Sequence, residues 1–271
     1  MLPHITEDEF LRLNRLLLER CGIRIPPEKK LFLQAKLGKV LHREGISSYS
    51  EYCDRILADK SGRELLQLLD LITAPDLHQF FSEPQQFAFL SQRILPELNK
   101  KGANSVYIWS AGCATGEEAY SIAIVLQGNK ATEGWRKKIL ATDVSSYTLD
   151  KAREGIYPAE ELKLLSPSIL AHYFEREGED TYRIKGTLKE IIEFRKLSLL
   201  SPPPFRECFD VIFCRNVMIY YDRGIRKGLT SYFHGCLKSG GYLIIGPSET
   251  LPEAEVNFQY VRSSIYRKAS Q

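Results

Sequence analysis

The stretch "WSAGCATGEEAYSIA", Trp109 to Ala123, decides how the rest of the chain is read. It follows a short apolar run, Ser105-Val106-Tyr107-Ile108, and holds Gly112 and Gly116, then two glutamates, then a segment of helical character. Strand, glycine turn and helix in that order are how an open α/β sheet prepares a ligand site beyond the carboxyl ends of its strands. The runs "KKILATD", "FDVIFC" and "GYLIIG" repeat the apolar, β-branched pattern at intervals long enough for helices. The fold class is therefore α/β, with a mostly parallel sheet.

The turn also selects its ligand. A dinucleotide-binding dehydrogenase would carry Gly-x-Gly-x-x-Gly here, its amides cradling a pyrophosphate. This turn has one Gly-x-x-x-Gly and sets Glu117 and Glu118 at the helix start, where they would repel a pyrophosphate. Two readings stand. The glutamates are favourable first-turn residues of an ordinary helix, or they face a cationic ligand such as S-adenosylmethionine, which bears a sulfonium and an ammonium. The second strand ends in "ILATDVSS", leaving Asp143 where a carboxylate can accept from both ribose hydroxyls; Asp before Ser-Ser also makes a good helix cap. "FDVIFCRNVMIYYD" (Phe209 to Asp222) brings Arg215 and Asn216 to the same edge, with Tyr220 and Tyr221 in the next turn, as ligand contacts or as core residues with satisfied hydroxyls.

Ahead of this lies a helical region, read as residues 1–75. Thr6/Glu9, Ser48/Glu51 and Ser61/Glu64 are spaced as capping boxes. Phe10, Leu13, Leu16 and Leu17 share one helical face, and Gly22 and Gly45 offer left-handed stops. Residues 76–271 make the second domain. Within it "AHYFEREGEDTYRIKGTLKEIIEFRKL" (171–197) holds three strand-like pieces, read as a small inserted antiparallel β-subdomain with its first turn at "EGED".

With 271 residues the chain can bury a substantial core, and its net charge of +3 is too small to point to a nucleic-acid partner. Six scattered cysteines without metal spacing read as reduced thiols of a cytoplasmic protein. "MLPHITEDEF" lacks the pattern of a signal peptide, and no apolar run is long enough to insert into a bilayer. Nothing in the pattern requires more than a monomer.

Taken together, "WSAGCATGEEAYSIA", "ILATDVSSYTLDKAREGIY", "FRKLSLLSPPPF", "FDVIFCRNVMIYYD" and "GGYLIIGPSETL" resemble, in order and spacing, the signature blocks of the CheR-type chemotaxis-receptor glutamate methyltransferases. The resemblance covers nearly the whole chain. It implies a Rossmann-like methyltransferase domain, S-adenosylmethionine as cofactor with S-adenosylhomocysteine as product, and methyl esterification of glutamates on a chemoreceptor's cytoplasmic domain. Carried over by position, Gly112, Glu117, Asp143, Ser198, Leu199, Arg215 and Asn216 contact the cofactor, and Tyr220 lies near the transferred methyl. The basic segment Lys29 to Arg43 is implied to face the receptor, although a charged helix is also simply a solvated face.

One block departs from the family. Where members read approximately Asn-x-Thr-x-Phe-Phe-Arg, this chain has "DLHQFFS", bringing Asp76, His78 and Ser82 to the cofactor side in place of Asn, Thr and Arg. Ser82 cannot reproduce a guanidinium fork. An alternative function follows from that loss: a weakened or inactive relative that binds the cofactor or its product and acts as a receptor- or partner-binding module.

Overall fold

The computed structural model describes residues 4–21, 23, 25–59, 63–73, 79–200, 205–251 and 257–269. Four helices come first: α1 (Glu7–Cys21), α2 (Lys30–Glu44), α3 (Tyr49–Ala58) and α4 (Arg63–Thr73). Thr6 and Glu9 form a full capping box, amide to carboxylate at 3.0 Å and amide to hydroxyl at 3.2 Å. The Ser48 hydroxyl caps α3 by accepting from the Glu51 amide, and Gly45 ends α2 at φ 69°. Ser61 and Gly22 lie outside the described residues; the Glu64 amide donates to the Asp59 carboxylate. Phe10, Leu13, Leu16 and Leu17 are all buried, in a cluster that also takes in Leu37, Tyr52 and Leu68.

The chain continues through α5 (Pro84–Phe89), a π-helical turn, α6 (Leu95–Lys100), β1 (Ser105–Ala111), α7 (Glu117–Gly128), β2 (Arg136–Asp143) and α8 (Ser146–Glu154). After these come β3 (Ile156–Pro158), α9 (Pro167–Tyr173), β4 (Phe174–Arg176), β5 (Thr181–Ile184), α10 (Gly186–Lys189) and β6 (Ile192–Lys196). The last elements are β7 (Phe209–Cys214), α11 (Arg223–Cys236), β8 (Leu237–Ile245), β9 (Phe258–Arg262) and β10 (Ile265–Lys268).

Seven strands form the main sheet in the order β6-β2-β1-β7-β8-β10-β9. The first five are mutually parallel, and β10 and β9 complete the sheet antiparallel. From β1 the chain moves outward to β2 and β6, then returns to β7 on the other side. Strand order therefore reverses between β1 and β7, which is where an open α/β sheet opens a crevice. Both faces are covered, as a parallel sheet requires. Ile108, Ile139 and Phe213 belong to one apolar cluster with α7, and Trp109, Leu140 and Ile212 to another with Phe233 of α11.

The small β-subdomain has a different third member from the one expected. Its sheet is β3-β5-β4, with β4 and β5 paired as a hairpin about residues 177–180. The piece at 192–196 pairs in parallel with β2 in the main sheet, Ile139 opposite Ile192 and Asp143 opposite Lys196. Ile156–Pro158 takes its place beside β5. Apolar alternation marks a strand without naming its partner, and β6 satisfies that pattern equally well in either sheet.

Cys53, Cys113, Cys208, Cys214 and Cys236 are unpaired; among the described residues no group of side chains has metal-binding arrangement, and no helix is long and apolar enough to cross a membrane.

Candidate active site

At the switch point lies a cleft with about 1160 Å³ of empty space, open solvent included. It is lined by Ser82, Gly112, Glu117, Asp143, Ser198, Leu199, Arg215, Asn216 and Tyr220, so the described residues expected at the cofactor or the transferred methyl meet in one place. Asp76 and His78 lie outside the described residues.

The floor is the turn after β1. Gly112 and Cys113 donate their amides to the Thr142 carbonyl at 2.8 and 2.9 Å, clamping the turn to the end of β2. Gly112 has φ 89° and Gly116 φ 99°, a region L side chains rarely enter. Packing demands glycine as well: a Cβ on Gly112 would run into Val217, and one on Gly116 would stand 2.9 Å from the Ala152 Cβ. Gly112 faces the cleft, whereas Gly116 is spent on packing against α8, a division that spacing alone does not reveal.

Glu117 opens α7 and is 4% exposed. Its carboxylate accepts from the Thr115 hydroxyl at 2.7 and 2.8 Å and has no salt bridge among the described residues. Burial pushes its pKa up to about 7. A buried acid on a cleft wall without a counter-cation is unfavourable by itself and favours a cationic ligand. Asp143, at the carboxyl end of β2, accepts from the Ala114 amide at 3.0 Å and the Ser145 amide at 2.9 Å. Burial raises its pKa too, those amides opposing the shift. The cap of α8 is the Ser145 hydroxyl, which accepts from the Thr148 amide, so Asp143 braces the glycine turn and keeps acceptor capacity for ribose hydroxyls.

Glu118, one residue further, faces Arg215. The guanidinium donates to Glu118 Oε2 at 3.2 Å and to the Ser82 carbonyl at 2.8 Å, with the Ser82 hydroxyl at 3.4 Å. Ser110 donates to the other Glu118 oxygen at 2.6 Å. Burial raises the Glu118 pKa, and the Arg215 cation is the main opposing influence. Arg215 Nε is buried without a partner. Ser82 therefore does not stand alone: its carbonyl and hydroxyl both receive the Arg215 guanidinium.

The opposite wall is the segment between β7 and α11. Asn216 holds φ 57° there, and the Glu249 carboxylate accepts from the amides of Asn216 at 3.0 Å, Ile219 at 3.1 Å and Gly246 at 2.6 Å. Tyr220 donates to the Ile72 carbonyl at the end of α4 at 3.4 Å, and Lys29 Nζ lies 5.4 Å from its ring centre. Tyr221 forms a backbone bridge to Ile23. Glu249, Arg20 and Ile23 escaped the sequence reading as site residues; they have no local signal, since tertiary packing brings them there. Glu118 was read with Glu117 as a possible partner of a cationic ligand, and its described cation is Arg215.

The comparisons with known proteins give the family. Residues 76–267 match the family described as "CheR methyltransferase, SAM binding domain", and residues 8–73 match "CheR methyltransferase, all-alpha domain". A chemotaxis protein methyltransferase of Borreliella burgdorferi is 37% identical over 98% of this chain and 95% of its own length. Chemotaxis protein methyltransferase 1 of Pseudomonas aeruginosa is 35% identical over 94% of this chain and 96% of its own. The Escherichia coli chemotaxis protein methyltransferase is 32% identical over 97% and 91%. The fold and its cleft define an S-adenosylmethionine-dependent methyltransferase. The chain belongs to the CheR methyltransferase family.

Proposed function

We propose that the chain transfers a methyl group from S-adenosylmethionine to glutamate side-chain carboxylates on the cytoplasmic domain of a chemoreceptor, working as a cytoplasmic monomer without a nucleic-acid partner. The observation that supports the cofactor's placement is the pair of acids on the cleft lining, buried Glu117 and half-buried Asp143, Glu117 having no salt bridge among the described residues. When bound, the cofactor supplies an electrophilic methyl on a sulfonium. Glu117 holds the ammonium at the methionine end, Asp143 accepts from the ribose, and Ser198 and Leu199 flank the adenine. Gly112, Asn216 and Arg215 with Ser82 line the remaining contact, and Asp76 and His78 are assigned to it from the family alignment.

The chain's own task in the reaction is alignment. A glutamate carboxylate is already ionised and nucleophilic near neutral pH, so no side chain need act as general base. Tyr220 lines the cleft with its hydroxyl held by the Ile72 carbonyl, and the family resemblance assigns it the place near the transferred methyl. Holding nucleophile and methyl in line and excluding water supply the rate enhancement. Arg215, fixed by Glu118 and Ser82, keeps a guanidinium at this end despite the serine at position 82.

The test is transfer of labelled methyl to a receptor cytoplasmic fragment, followed by mild alkali. An ester releases its label as methanol, whereas methylation on nitrogen resists. Alkali-labile label on glutamate is expected; cofactor binding without transfer to any receptor of the same cell would leave the binding-module alternative in possession.

A further inference from the structure

The geometry points to Arg20 as the group that receives the substrate glutamate's carboxylate at the mouth of the cleft. This rests on the methyltransferase reading above and names how the acceptor is recognised.

Three carboxylates line the described cleft, Glu117, Glu118 and Asp143, against two cations, Arg20 and Arg215. An incoming carboxylate approaches a surface rich in its own charge, so it needs a partner cation where it enters. Arg215 is already engaged: its side chain is 5% exposed and its terminal nitrogens go to Glu118 and Ser82. Arg20 is different. It is exposed, it belongs to the last turn of α1, and among the described residues it makes no ion pair or side-chain hydrogen bond.

The backbone under Arg20 is nevertheless fixed. Leu13, Leu16 and Leu17 are buried in the helical cluster, and Ile23 bridges to Tyr221 on the segment that carries Tyr220. A rigid base with an uncommitted guanidinium is what carboxylate capture requires, because little ordering is lost on pairing and the fork matches both oxygens. Its position on the helical side sets it on the wall that also bears Tyr220. The cofactor acids occupy the sheet side.

The experiment uses the full-length chain with Arg20→Gln and the charge-keeping Arg20→Lys. Three quantities are measured: cofactor and S-adenosylhomocysteine affinity by calorimetry, thermal midpoint, and steady-state transfer to a receptor fragment. Arg20→Gln should lower kcat/KM for the fragment by about tenfold to a hundredfold, the loss of a charge-assisted pair. Cofactor affinity and thermal midpoint should stay at wild-type values, and Arg20→Lys should recover part of the transfer. Fragment turnover within twofold of wild type in Arg20→Gln overturns the assignment. So does weakened cofactor binding, which would mean that Arg20 serves the cofactor's own carboxylate. If instead the wild-type chain itself transfers nothing, the functional reading fails, and that outcome is distinct from the first two.

Discussion

Glu117 and Asp143 were legible because their positions follow from strand ends. A carboxylate after a glycine turn and another at the next strand's carboxyl edge converge in any sheet of this order, and here they do. Less visible were the structural tasks beside them: Asp143 also accepts from the Ala114 amide, and Glu118, next to Glu117, binds Arg215. The pKa of Glu117, pushed up to about 7 by burial, has a measurable consequence. In the ligand-free chain the group is partly protonated near neutrality, and an ammonium ligand favours its ionised form. Binding must therefore expel a proton, and affinity should rise about tenfold between about pH 6 and about pH 8. Calorimetry in buffers of different ionisation enthalpy measures both effects, and Glu117→Gln should flatten the profile. A second expectation concerns Tyr220. Removing its hydroxyl in Tyr220→Phe should reduce transfer while leaving cofactor affinity intact; unchanged turnover would take the hydroxyl out of the chemistry.

At the level of elements, the segment between β7 and α11 depends on one residue well outside it in sequence. Glu249 is 6% exposed, and three backbone amides converge on its carboxylate. Burial raises its pKa, the amides pulling the other way. Glu249→Ala would leave those amides buried without an acceptor, a loss of about 1–3 kcal/mol for each group left unsatisfied. We expect a lower thermal midpoint and transfer reduced at least tenfold, because Asn216 and Tyr220 share the segment it holds. Melting curves and steady-state rates check this; wild-type values in both would refute the anchoring role. The same scale explains what the sequence concealed. "GPSETL" follows the strand read in "GYLIIG", and nothing local ties Glu249 to Asn216. Likewise the strand at 192–196 was visible but its parallel partner β2 was not, since pairing depends on the crossover and not on alternation.

Across the whole molecule, the helical region and the sheet meet at the cleft. Tyr220 and Tyr221 pack against the helical cluster, Lys29 lies over the Tyr220 ring, and Ile72 accepts its hydroxyl. The apolar periodicity of α1 and its capping box made the helical region readable, but not that it supplies one wall of the site. That follows only from the packed chain. Ligand binding should accordingly stabilise both regions together: S-adenosylhomocysteine at a hundred times its dissociation constant adds roughly 2.7 kcal/mol to folding. A single, upward-shifted thermal transition is expected, and a helical region melting independently of ligand would argue against a shared site.

The most direct test of the central claim is the structure of the chain crystallised with S-adenosylhomocysteine. The thioether product should lie across the ends of β1, β2 and β7, its amino group on Glu117 and its ribose hydroxyls on Asp143. Density for the nucleoside elsewhere on the molecule, or with neither carboxylate within hydrogen-bonding distance, would contradict the account.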